Sequence, residues 1–169
     1  MYLARRFIEE GYDLIKPLIF RLTREDPEAA HEAFIRFAQF ADKYGLEGFL
    51  FDNPANRINP GFEISPAAGF NKNGNIPPDV LGYLGFTRNN VGTVTTEPWA
   101  GNPRPRIMRF PKAESIVNWM GLPGVGVERV RQNLDEHAGQ NIPITISVMS
   151  TPGKQGLDAL KDIDYTVKE

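Results

Sequence analysis

The segment ISPAAGFNKNG, Ile64 to Gly74, sets a short apolar stretch against small residues, a glycine turn and one lysine. Ser65, Pro66, Ala67, Ala68 and Gly69 leave almost no side chain at a strand's end, so a flat ligand has bare backbone to lie against. Lys72 projects a single positive charge over that surface. The same letters also describe a strand followed by an ordinary Asn-Gly turn with a surface lysine. The rest of the chain decides between the two.

Downstream the pattern alternates. An apolar strand from Phe62 to Ala68 is followed by a helix from Pro77 to Leu84 and a strand around Asn90 to Thr95. A helix from about Val125 to His137, a strand from Ile142 to Met149 and an amphipathic stretch from Gly156 complete the series. Strands alternating with helices predict an α/β fold of parallel βα units. About three are countable, too few to close a barrel of eight. The open sheet edge then needs cover from further sequence or a partner, with self-association as one outcome. Leu157, Leu160, Ile163, Tyr165 and Val167 read as a helix without a C-cap glycine.

Upstream, Leu3, Phe7, Leu14, Ile15, Leu18, Ile19 and Leu22 recur at helical spacing, with Pro17 as a kink. Asp26-Pro27 is a helix start, and that helix runs to about Tyr44 before Gly45. The two helices predict a helical hairpin over residues 1–50. Its apolar face packs on the following domain or lies in a membrane interface, a pattern that Arg5, Arg6, Lys16, Arg21 and Arg24 fit. Leu50–Pro60, LFDNPANRINP, reads as a linker, so the second domain spans residues 51–169.

Composition narrows the chemistry. The chain has 169 residues, 41% hydrophobic and 24% charged, with a net charge of -2, which excludes a general attraction for nucleic acid. It has no cysteine, so disulfides, thiolate metal sites and a cysteine nucleophile are excluded, and His31 and His137 are too few for a zinc site. There is no signal-peptide pattern and no run of ~18 apolar residues, which predicts a cytoplasmic protein. No P-loop, GxGxxG or Ser/His/Asp spacing occurs.

Besides Ala67–Gly74, three stretches are placed where βα loops of such folds carry chemistry. Gly92-Thr93-Val94-Thr95 offers close approach and hydroxyls. Gly101–Phe110, GNPRPRIMRF, interleaves three arginines with two prolines, which suits either a ligand or a solvated basic loop. Val117–Gly121, VNWMG, holds Asn118, a donor and acceptor for a heterocycle or simply a turn residue. Lysine, hydroxyls and asparagines suit a planar polar ring.

In order and combination, DPEAAHEAF, AAGFNKNG, GTVT, GNPRPRIMRF and VNWMG resemble the class 2, quinone-dependent, membrane-associated dihydroorotate dehydrogenases, over Asp26 to about Met149. The resemblance implies a partial (βα)8 TIM-type barrel preceded by the N-terminal α-helical hairpin. It implies oxidation of dihydroorotate to orotate in pyrimidine biosynthesis, with FMN as cofactor and quinone as acceptor, at the inner face of the cell membrane. Ala68, Gly69, Phe70, Asn71, Lys72 and Thr93 match FMN-contacting positions, and Ser147 falls near another. Lys72 also matches an orotate contact, with Asn118, Trp119, Met120, Gly121 and Leu122 as the substrate loop. Arg109 matches the arginine lining the quinone tunnel. The catalytic serine base is expected beyond Glu169, and no metal is implied. The chain departs from the family pattern at Asn71, usually aspartate, at Trp119, usually arginine, at Leu122-Pro123-Gly124 in place of a Phe-Asn-Asn-like run, and at Met149, usually glycine. A non-catalytic half-barrel serving in binding or assembly is the competing expectation.

Overall fold

A computed structural model describes residues 18, 21–23, 26–51, 61–138 and 142–169. Asp26 opens helix α1 (Pro27–Lys43), because its Oδ1 accepts the amide hydrogens of Glu28 at 2.8 Å and Ala29 at 3.4 Å. Pro27 has no amide hydrogen to satisfy. Past Gly45 the amide of Leu46 reaches back to the Ala41 carbonyl at 2.8 Å and closes the helix. The Leu46 carbonyl then accepts the amides of Phe49 and Leu50, starting a short helix α2 (Glu47–Phe51) that was not expected from the sequence and that runs into the first two residues of the Leu50–Pro60 linker. Most of the Tyr2–Leu22 helix, and residues 52–60 of the linker, lie outside the described residues.

The strand expected over Phe62–Ala68 does not form. Pro66 has no N–H for a ladder, and Ile64 bonds instead to Thr87, whose Oγ1 accepts its amide at 2.8 Å and whose amide donates to its carbonyl at 2.8 Å. Parallel pairing begins later, as a single bridge between Asn71 and Val91. Helix α3 (Pro78–Tyr83) follows, with Pro78, Val80 and Leu81 buried, and leads into strand β1 (Asn89–Val94).

Strands β2 (Ile107–Phe110) and β3 (Ser115–Asn118) pair antiparallel, Ile107 opposite Asn118 and Arg109 opposite Ile116. This hairpin stands where two βα loops were expected. Helix α4 (Val127–Asp135), strand β4 (Ile144–Val148) and helix α5 (Gly156–Lys168) complete the chain. Strand β4 runs parallel to β1, with Val91 opposite Ile146. Three parallel positions, Asn71, β1 and β4, are thus followed by α3, α4 and α5.

Val91 and Val94 of β1 meet Val127 and Val130 of α4, with Val125 and Leu134 against them. Val127, Val130 and Leu134 recur three and four residues apart, the spacing of one helix face, and burying each contributes roughly 1.5–3 kcal/mol. Helix α5 is turned the other way. Asp162 and Thr166 are buried, while Leu157, Leu160 and Val167 are exposed.

The described residues fall into two compact units: Pro103–Trp119 with the residues up to Phe37, and Ala38–Asn102 with Met120–Glu169. Among them no helix is long and apolar enough to cross a membrane.

Candidate functional site

The pairing of β1 with β4 is in register from Asn89 to Gly92 and then slips. Gly92 faces Ser147 and Val94 faces Val148, so Thr93 is an extra residue on β1. A bulge of this kind re-aims a side chain at a strand end, and here the Thr93 and Ser147 hydroxyl oxygens meet at 3.2 Å. Gly92 makes the approach possible. A Cβ at this position, where φ is +122°, would lie 2.5 Å from the Ser147 carbonyl oxygen.

The same glycine anchors the turn that follows Pro66. Its carbonyl accepts the Gly69 amide at 2.6 Å, and its own amide donates to the Asn71 carbonyl at 3.2 Å. Ala67–Asn71 is therefore fastened beside the carboxyl end of β1, although no strand leads into it. Gly69 has φ +100°, and nothing lies within 4 Å of where its Cβ would stand. The uncrowded backbone at Gly69 is thus tied to Gly92, the residue before Thr93 of the hydroxyl pair, and backbone and hydroxyls together suit the face and edge of a planar ring.

Asn71 has a different task. It is fully buried, its Nδ2 donates to Asn89 Oδ1 at 3.1 Å, and its Oδ1 accepts the Ile76 amide at 3.1 Å. Its side chain braces the turn from within. Lys72 is the next residue and is half-buried, Ala68 is exposed, and the Phe70 ring lies 6.5 Å from that of Phe86.

Ala68–Lys72, Thr93 and Ser147 therefore belong to one unit. Arg109, on β2, and Asn118, at the end of β3, belong to the other, with Trp119, whose amide donates to the Arg106 carbonyl at 3.0 Å. Met120, Gly121 and Leu122 return to the first unit, where the Asn102 amide donates to the Met120 carbonyl at 2.9 Å. Leu122 holds φ +59°, a left-handed conformation uncommon outside glycine and asparagine. Such a conformation persists only where the surrounding structure holds it.

One feature next to the site was missed in sequence. Thr95 Oγ1 donates to the Glu97 carbonyl at 2.8 Å, and the Glu97 amide donates to Thr151 Oγ1 at 3.2 Å. Lys154 binds Glu97 at 2.6 Å and also Asp162, whose side chain is 2% exposed and whose Oδ2 accepts the Thr151 amide at 2.6 Å. The loops after β1 and β4 are latched together in this way. Burial alone would raise the Asp162 carboxyl, but hydrogen bonds from Lys154 and Thr151 prevail and hold it at about 2. Lys154 is raised, chiefly by its hydrogen bond to Asp162. These partners are 57 and 8 residues apart, and no local pattern joins them.

Comparison with known proteins gives a consistent answer. A family model described as dihydroorotate dehydrogenase matches residues 56–168. A dihydroorotate dehydrogenase (quinone) of Azotobacter vinelandii is 41% identical over 128 residues, 70% of this chain and 35% of the relative. One from Natronomonas pharaonis is 34% identical over 165 residues, covering 92% of this chain and 46% of the relative. The fold is similar to a ligand-free dihydroorotate dehydrogenase structure from Eimeria tenella, with TM-score 0.65, 26% identity and coverage of 85% of this chain and 42% of that one. The same Eimeria protein in complex with ferulenol gives TM-score 0.63 at 28% identity. The chain spans between about a third and a half of the length of these relatives. With residues 56–168 under the family model and identity sustained over most of its length, the chain belongs to the dihydroorotate dehydrogenase family of oxidoreductases.

Proposed function

We propose that this chain forms the first part of a βα barrel in a quinone-dependent dihydroorotate dehydrogenase, which oxidises dihydroorotate to orotate in pyrimidine synthesis. The observation that carries the reading is the Thr93–Ser147 hydroxyl pair beside the open Gly69 backbone. The residues fit FMN. Ala68–Lys72 would present backbone and Thr93 and Ser147 hydroxyls to it, while the Asn71 side chain holds the turn rather than the ring. Bound there, FMN would supply the redox chemistry that links substrate and quinone.

Lys72 places a positive charge where the orotate carboxylate is held, and Asn118 with Trp119–Leu122 orients the pyrimidine ring. Arg109 faces the quinone. The base that removes the C5 proton is a serine in the part of the family fold that these residues do not span. The helical hairpin expected over residues 1–50, most of whose first helix lies outside the described residues, would seat the protein peripherally on the inner membrane. The exposed aromatic residues Phe37 and Phe40 on α1, with Tyr44 just past its end, support that placement.

Titration with FMN and then orotate tests the reading through flavin absorbance and fluorescence. Lys72→Ala is expected to weaken orotate binding at least tenfold, about 1.4 kcal/mol, with the fold intact. Unchanged orotate affinity removes Lys72 from the site. A second reading, a half-barrel acting only in assembly, is favoured by the exposed Ile144, Ile146, Leu157 and Leu160. A colourless chain that associates stoichiometrically with another protein would support it, and a bound yellow flavin would not.

A further inference from the structure

Glu28 and Arg106 form an ion pair in which both side chains are buried, 4% and 6% exposed. The contact is a fork on a fork: Arg106 Nε donates to Glu28 Oε2 at 3.0 Å and Nη2 to Oε1 at 2.7 Å. Arg104 adds a second tie to Glu28 at 3.1 Å and reaches Glu32 at 2.5 Å. Glu28 and Glu32 stand in the first two turns of α1, and Arg106 immediately precedes β2.

A buried pair of this kind is a poor stabiliser, since two ions lose their water and an apolar pair of the same volume would not. What the fork provides is a fixed distance and angle. Arg106 transmits it, because its carbonyl accepts the Trp119 amide at 3.0 Å just beyond the end of β3. Pro103 and Pro105 restrict the backbone on the other side. Asn118 lies opposite Ile107, so in the pleat of the hairpin it shares a face with Ile107, Arg109 and Ile116.

We infer that Glu28 is a positioning residue: acting through Arg106, the first turn of α1 sets where Asn118 and Trp119 stand. The role of Asn118 toward orotate rests on the function proposed above, whereas the mechanical coupling does not. Helix α1 and the start of the substrate loop then move as one body.

The test uses the full chain. Hydrogen exchange at the Trp119 amide is measured in the wild type, in Glu28→Gln, and in the double variant Glu28→Met with Arg106→Met, which replaces the ions by an apolar pair. The expected result is Trp119 exchange about tenfold faster in both variants, with the amides of β1 and β4 unchanged. The double variant is expected to keep the wild-type Tm and still bind orotate about tenfold more weakly, a separation that a purely stabilising pair would not produce. If Glu28→Gln does not fold, the double variant decides alone. Wild-type exchange at Trp119 in the double variant overturns the inference, as does equal acceleration throughout the sheet. If the wild-type chain binds no orotate, the proposed function fails and the exchange data still judge the coupling.

Discussion

At Gly92 two demands coincide, a left-handed backbone and a neighbour 2.5 Å from where a Cβ would be. The neighbour is the Ser147 carbonyl oxygen, part of a backbone that cannot swing aside. Gly92→Ala is therefore expected to cost about 3 kcal/mol, read as a lower urea midpoint, because strain and overpacking add. Asp162 makes a second prediction at this scale. Its folded pKa, about 2, lies below its ordinary value of 3.8. The stability it contributes is thus fully present above pH 4 and is lost as the pH falls through about 2. Thermal unfolding of Asp162→Asn against wild type should show a Tm gap that is constant from pH 7 to pH 5 and narrows below pH 4. A gap unchanged at pH 2 would detach the latch from the carboxylate's charge.

Among the described residues, β4 is paired on one side only. It pairs with β1 along one edge, and Ile144 and Ile146 remain 43% and 47% exposed. An apolar parallel strand with a free edge is a template for another strand. The chain is expected to self-associate as its concentration rises, and Ile146→Lys should shift sedimentation toward the monomer. Periodicity made the longer helices legible, though not the short α2, and the α4 stripe of Val127, Val130 and Leu134 is visible in the letters alone. The strands were harder. Phe62–Ala68 looks extended, yet Pro66 denies it a ladder, whereas Ile107–Phe110 alternates properly but is overshadowed by Pro103 and Pro105. At the site, the glycine turn, Lys72 and Thr93 stood out by residue type. The Thr93–Ser147 contact did not, since it depends on a one-residue bulge that only the register of two distant strands defines. The Glu28–Arg106 pair was hidden for the same reason, its members being 78 residues apart.

At the scale of the whole molecule, the chain spans less than half the length of these relatives. A polypeptide of these 169 residues alone, with FMN and a soluble quinone in excess, is expected to form no orotate from dihydroorotate, because the proposed serine base is not among them and a positioned base is worth about 10²- to 10⁴-fold in rate. Turnover near that of a longer relative would mean that another residue or a second chain supplies the base. The parallel pairing also has a consequence in time. Thr93 and Ser147 are separated by 54 residues of chain, while the β2–β3 hairpin closes on itself within microseconds. At a synthesis rate of about 5–20 residues per second, β1 waits roughly 3–10 s for its partner to leave the ribosome. Val91 and Val94 spend that interval without the strand they are built to join, so one edge of β1 stays unpaired while the chain is being made.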